Sequence, residues 1–166
     1  MSFYVRPVLS GDWEQLRDLR LLALSTDPDA FGSTYEEARS ATDAEWRKRA
    51  ADSERGAQSR WLAAVDESGG WIGIAVAHGD GRDVDANLFG MWVAPAARGS
   101  GVAAALCDAC SGWAGEHGFA GIVLGAFADN ERAIAAYRKA GFMEYGGISE
   151  QRADRVFDVV LMRRST

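Results

Sequence analysis

Between Met91 and Ala103 the sequence Met-Trp-Val-Ala-Pro-Ala-Ala-Arg-Gly-Ser-Gly-Val-Ala passes from an apolar strand through a turn marked by Gly99 and Gly101 into a helix. Such a run makes a cradle for an anion. Glycines lack a Cβ, so the backbone turns tightly and a ligand can approach it, while the first N–H groups of the helix have no partner within it. Those donors and the positive end of the helix dipole favour phosphate. Gly99-x-Gly101-x-x-Ala104 also satisfies the dinucleotide fingerprint of a Rossmann unit, but that turn follows the first strand of a repeated βαβ array. Here hairpin strands precede it, and only about 65 residues follow, room for one or two further units. The missing Gly-Lys-Ser/Thr excludes a Walker A loop.

A second stretch, Asn130-Glu131-Arg132-Ala133-Ile134-Ala135-Ala136-Tyr137-Arg138-Lys139-Ala140-Gly141-Phe142, is a helix with both ends marked. Asn130 suits the N-cap, Gly141 suits the left-handed residue that closes the helix, and Phe142 can fold back onto the last turn. Asn130, Ala133, Ile134 and Tyr137 share one stripe, so an amide and a phenol two turns apart face the same way.

With both stretches in order, the chain resembles the GNAT superfamily of acetyl-CoA-dependent N-acetyltransferases. The family's motif Gln/Arg-x-x-Gly-x-Gly/Ala is matched by Arg98-Gly99-Ser100-Gly101-Val102-Ala103, and its Asn followed seven residues later by Tyr, then Gly-Phe, by Asn130, Tyr137 and Gly141-Phe142. The resemblance implies an α+β fold: a mixed, mostly antiparallel twisted sheet of about six or seven strands flanked by four helices, with a splay between the fourth and fifth strands. It implies acetyl-CoA as co-substrate. The strand Met91, Trp92 and Val93 would pair with the acetyl carbonyl and pantetheine like an added strand. The amides of Arg98, Gly99, Ser100, Gly101, Val102 and Ala103 would hold the pyrophosphate, and Asn130 the pantetheine, with Arg132 or Lys139 in reach of the nucleotide's phosphates.

Acetyl transfer from a thioester needs a route for the amine's proton, a donor for the developing oxyanion and a proton for the departing thiolate. Met91 N–H is the expected oxyanion donor if the strand bulges there, and Tyr137, with a phenol pKa of about 10, the expected acid. The base is open. Asn87 stands where part of the family carries Glu; Asp85, two residues earlier, and Glu36 or Glu37, near Phe31 and Tyr35, are the candidate acids, with a water chain as the alternative. Phe31, Tyr35, Trp46, Trp61 and Trp92 could wall a pocket for the acceptor, although such aromatics more often fill cores. A small-molecule amine is the first reading of the acceptor and a protein N-terminus or lysine the second. A noncatalytic acyl-CoA sensor, which would not need Tyr137, and a nicotinamide-binding domain are the competing classes.

The surrounding elements read as β-α-α-β-β-β-α-β-α-β-β, one domain over residues 1–166. Strands are expected at Phe3 to Leu9, Arg60 to Asp66, Trp71 to His78, Leu88 to Ala94, Ile122 to Phe127, Phe142 to Glu150 and Arg155 to Met162. Asp12 with Gln15, and Thr42 with Glu45, can form capping boxes for two helices, and 31–39 is a loop or short helix. Cys107 and Cys110 form a C-x-x-C, but they lie two turns or more into a helix and lack a second ligand pair, so packed helix cysteines are expected and no metal site.

The chain has 166 residues, 48% of them apolar, and a net charge of −6. That supports a substantial core and argues against nonspecific nucleic-acid binding. The N-terminus lacks the apolar core of a signal peptide, and no run approaches the roughly 20 apolar residues that span a bilayer. A cytoplasmic protein without membrane or nucleic-acid partners is expected, and a homodimer is left open.

Overall fold

The computed structural model describes residues 1–152 and 155–166. Its strands are β1 (Phe3–Pro7), β2 (Ser59–Asp66), β3 (Trp71–His78), β4 (Asp85–Val93), β5 (Gly121–Phe127), β6 (Met143–Arg152) and β7 (Arg155–Ser165). The helices are α1 (Trp13–Thr26), α2 (Tyr35–Ser40), α3 (Asp43–Arg55), α4 (Val102–Glu116) and α5 (Glu131–Lys139). Together the strands form a seven-stranded sheet in the order β1-β2-β3-β4-β5-β7-β6, antiparallel except for the β4–β5 pair. The expected mixed α+β architecture is present. The stretch read as loop or short helix holds α2, which brings the α-helices among the described residues to five. Residues 153–154, between β6 and β7, lie outside the described residues.

The central strands are apolar almost throughout because helices cover both faces. On one face α4 and α5 pack: Leu62, Ala64, Ala75, Ala77 and Leu88 meet Val102, Leu106, Cys110, Trp113 and Ile134. On the other, Ala63, Val65, Ile74 and Trp92 meet Leu16, Leu19, Leu24, Trp46 and Ala50 of α1 and α3. The period-two alternation of β2 and β3 thus divides their side chains between two cores. Gly73 sets the approach of α4, since a Cβ there would lie 2.9 Å from Val102 Cγ1 and 3.1 Å from Leu106 Cδ1. The first turn of α4 is thereby pressed onto β3, beside the end of β4.

Local signals differ in how they are used. Thr42 and Glu45 form their capping box, as do Thr34 and Glu37 at α2. The expected box of Asp12 and Gln15 does not form. The Asp12 carboxylate instead accepts from the Leu9 N–H at 2.8 Å and pairs with Arg6 at 2.6 Å, capping a 3-10 turn one step earlier. Tertiary pairing with β1 captures the cap residue.

Cys107 and Cys110 are free, fully buried and part of the α4 core. Burial pushes the Cys107 thiol up to about 12 and the Cys110 thiol well above its ordinary value. Neither forms thiolate near neutrality. A disulfide-exchange thiol reagent at pH 8 should therefore label no cysteine in the native protein and both in denaturant, which absorbance titration of the released chromophore would show.

Candidate active site

The site is made by an interruption of the sheet. β4 and β5 are paired over only three rungs, Asp85 with Gly121, Ala86 with Ile122 and Asn87 with Val123. On its other side β4 carries a bulge: Ile74 faces Trp92 while Val76 faces Phe89, so β4 has one residue more than β3 in this interval. Gly90 takes φ +58°, a left-handed conformation that a glycine supplies at little cost. The bulge at Gly90 and Met91 bends β4 aside while β5 stays paired with β7 along its whole length. This is the expected splay between the fourth and fifth strands, and on its β5 side it leaves β4 backbone groups beyond Asn87 without a neighbouring strand.

On the α4–α5 side lies a cavity of about 480 Å³. It is lined by Met91, Trp92, Val93, Arg98, Gly99, Gly101, Val102, Ala103, Asn130 and Tyr137, with Arg132 and Lys139 also on its wall. Gly99 and Gly101 have φ +78° and +91°, and a Cβ on either would meet no protein atom within 4 Å. The turn is thus held in a shape that glycine favours, with open space above it, at the N-terminus of α4. Asn130 caps α5, its Oδ1 accepting from the Ala133 N–H at 3.2 Å, which leaves its NH2 group as a donor. Ser100 does not line the cavity with its side chain; its hydroxyl donates to the Ala97 carbonyl at 2.5 Å and braces the turn.

Arg98 also turns back. Its Nε donates to the Val93 carbonyl at 3.1 Å and its Nη2 to Asp27 Oδ2 at 2.5 Å, fixing the turn to the end of β4. Asp27 accepts in addition from Trp92 Nε1 at 2.8 Å and lies 3.5 Å from Arg132. Burial pushes the Asp27 carboxyl up, but the hydrogen bonds from Trp92 and Arg98 and the two guanidinium charges outweigh it and hold the group below its ordinary value.

The opposite side of the splay opens into a second cavity, also of about 480 Å³. Its walls are Arg20, Phe31 and Ser33, residues 87–91 of β4, the open end of β5, and Tyr145, Ile148 and Glu150 of β6. Ala30, Met91 and Tyr137 line both cavities. A ligand lying on one side therefore meets a ligand on the other at these residues. The Tyr137 ring packs edge-on against Phe142 with centroids 5.9 Å apart, and burial pushes its phenol pKa above the ordinary value near 10. The hydroxyl remains a proton donor throughout the neutral range.

The candidate bases fare differently. Asp85 lines neither cavity and is held by Arg163, whose Nε and Nη2 each donate to a carboxylate oxygen at 2.8 Å. The Arg163 hydrogen bonds hold its carboxyl below the usual range, which makes it a poor proton acceptor and a clamp between β4 and β7 rather than a group placed for the base role expected of it. Glu36, the other expected base, is exposed on α2, 3.9 Å from Arg39, and lines neither cavity, because α2 turns its first acidic residues outward. Glu37 is the capping partner of Thr34. Of the expected aromatic wall, Phe31 lines the second cavity, Trp92 the first, Trp46 and Trp61 belong to the α1–α3 core, and Tyr35 is exposed.

Three residues at the site escaped the sequence reading: Asp27, Arg20 and Glu150. Arg20 had a signal, since it falls on the stripe of Leu16, Ala23 and Leu24 that α1 buries, an unusual place for a charge. Glu150 had none, because only the pairing of β6 with β7 brings it to the cleft. Among the described residues no three His, Cys, Asp or Glu side chains gather as a metal-holding group.

The model of the Acetyltransferase (GNAT) family matches residues 13–142. No curated protein matches the chain in sequence. Among solved structures, a GNAT-family acetyltransferase from Streptococcus pneumoniae is 21% identical, with 99% of each chain covered and a TM-score of 0.82. A phosphinothricin acetyltransferase from Sinorhizobium meliloti, in complex with acetyl-CoA, is 22% identical over 99% of this chain and 89% of that one, with a TM-score of 0.77. A spermidine N-acetyltransferase from Vibrio cholerae, in complex with CoA and spermine, is 19% identical over 98% and 95%, with a TM-score of 0.71. At these identities the likeness shows the fold.

The Asp85–Arg163 pair makes a pH-dependent contribution whose sign is fixed. A carboxyl held low in the folded state stabilises the fold above its unfolded pKa, and the contribution is lost as pH falls through the folded value. Asp85→Asn should therefore cost about 1 kcal/mol at pH 7, the pair being part-exposed, and the gap from wild type should close below the ordinary 3.8. Urea unfolding of both proteins at neutral and acid pH measures it.

Proposed function

The chain belongs to the GNAT acetyltransferase family, and we propose that it moves an acetyl group from acetyl-CoA to the primary amine of a small molecule. The observation that carries this reading is the meeting of two cavities at Met91 and Tyr137, through the splay between β4 and β5. One cavity has the glycine turn, the α4 N-terminus and Asn130 to receive phosphates and a pantetheine arm; the other is a concave cleft of small-molecule size. Similar folds have been solved with acetyl-CoA and with CoA bound.

The residues then act as follows. The bulged backbone at Met91 presents its N–H to the thioester carbonyl, where negative charge develops as the amine nitrogen attacks carbon. The C–N bond forms and the C–S bond breaks, its electron pair leaving on sulfur. Tyr137 gives its proton to that sulfur, and the surplus proton of the amine, shed to water in the open acceptor cleft, is matched by reprotonation of the phenolate. Asp85 and Glu36 take no part.

Three measurements test this. Calorimetric titration with acetyl-CoA, CoA and NAD, followed by thiol release against an amine panel, should show acetyl-CoA binding and amine-dependent release; binding without release from any amine would favour a sensor, and NAD binding alone would overturn the reading. Tyr137→Phe should lower kcat on the order of 100-fold with acetyl-CoA affinity unchanged, and, because the protonated form acts, wild-type turnover should show no decline from this group between pH 7 and about 10. Gly101→Val forces a branched residue into φ +91° and projects it over the cradle; acetyl-CoA affinity should fall at least about tenfold, with a fold cost of about 1–2 kcal/mol or more from the backbone strain.

A further inference from the structure

We infer that the acceptor is a zwitterion, a small amine that also carries a carboxylate, and that Arg20 binds the carboxylate. The inference rests on the proposed acetyl transfer and adds the substrate class. Arg20 lies on the inner stripe of α1 and is one of the residues that line the acceptor-side cavity. Its Nη2 donates to Ser33 Oγ at 2.8 Å and its plane lies over Phe31, 4.5 Å from the ring centroid. Its Nη1 is enclosed yet has no acceptor among the described residues.

Among the described residues, Arg20 has no counter-charge. The half-buried arginines that hold the fold each have one: Arg6 has Asp12, Arg98 has Asp27, Arg163 has Asp85 and Arg164 has Asp108. Arg60 also has an unpartnered nitrogen, but it lies outside both cavities. The charge that bears on Arg20 is the like charge of Arg49, and burial with that repulsion pulls its pKa down to about 10, so it remains a cation at neutral pH. Enclosing such a cation without a partner is costly, and a ligand anion in the cavity relieves the cost.

Position narrows the class further. A Cβ built on Gly90 would lie 3.7 Å from Arg20 Nη1, so the guanidinium stands beside the residue preceding Met91. An anion held there is only a few bonds from an amine poised at Met91, as in an α-amino acid. A polyamine would instead set a second cation against Arg20 and Arg49.

The test compares matched acceptors in the thiol-release assay: the standard L-amino acids, their α-carboxamides, and spermidine. In the wild type the best amino acid should exceed its carboxamide at least about 100-fold in kcat/KM, mostly through KM, since the amide leaves the cation unpaired. Arg20→Gln should remove most of that preference, lowering kcat/KM for the amino acid far more than for its carboxamide, while acetyl-CoA affinity stays within about twofold, which also shows that the variant folds; Arg20→Lys should retain part of it. The same pairs are titrated calorimetrically into CoA-saturated protein. Carboxylate-dependent binding without thiol release would uphold the Arg20 assignment and defeat acetyl transfer. Release with spermidine or carboxamides as good as with amino acids, equal loss for both classes in Arg20→Gln, or no binding and no release with any carboxylate would overturn the assignment.

Discussion

The ion pair of Asp85 and Arg163 decides where the sheet stops being a sheet. It runs from β4 to β7 across the strand between them, and it can do so because the residue beneath it is Gly121: a Cβ there would lie 2.6 Å from Arg163 Nη2 and 2.8 Å from Asp85 Oδ1. With that end clamped, β4 keeps three rungs with β5. The bulge at Gly90 then redirects β4, while β5 cannot follow because β7 holds it at every rung. Two strands tied at one end and pulled to different partners at the other must diverge, and the divergence is the site.

The rest of the architecture serves that gap. A gap in a sheet exposes backbone donors and acceptors whose burial without partners is costly, so it suits a ligand that pairs as a strand does. Helices on both faces wall it. α4 is pressed onto β3 through Gly73, which brings its N-terminus beside the end of β4. α5 begins at Asn130 and carries Tyr137 two turns further, to where both cavities meet. Asp27, at the end of α1, ties Trp92 and Arg98 together and lies near Arg132, so the segment that leads on to Ala30 and Phe31 is fixed to the phosphate turn. The wall of the second cavity is thereby anchored to the first.

This explains which half of the site was legible in the sequence. The cavity beside α4 and α5 is built from two contiguous stretches, so Gly99, Gly101, Asn130 and Tyr137, which line it, stand out by type and spacing. The acceptor side is assembled from α1, β4, β5 and β6, whose residues are adjacent only after the sheet has paired. Asp85 illustrates the difficulty: on an isolated strand it is an acid near the reacting end, and Arg163, 78 residues away, makes it a clamp. Asp12 similarly reads as a helix cap until Arg6 of β1 captures it. The central strands β2, β3 and β5 were legible to within a residue because they are largely buried on both faces, and the main uncertainty, 31–39, lies where six residues of α2 hang on a single capping box.

The arginines show how charge divides between scaffold and function in this fold. A scaffold cation is most useful when its partner is present before any ligand arrives, because the pair then rigidifies the unliganded protein; Arg98 with Asp27 and Arg163 with Asp85 are of this kind, and each bridges elements distant in sequence. A recognition cation is useful in the opposite condition. If Arg20 already had a carboxylate, an incoming anion would have to displace it, and the binding energy would be spent on exchange. Left with a hydroxyl and an aromatic face, Arg20 is oriented but not neutralised. Orientation without neutralisation lets a side chain discriminate between acceptors, since a wrong one leaves a buried charge unpaired while a right one completes it.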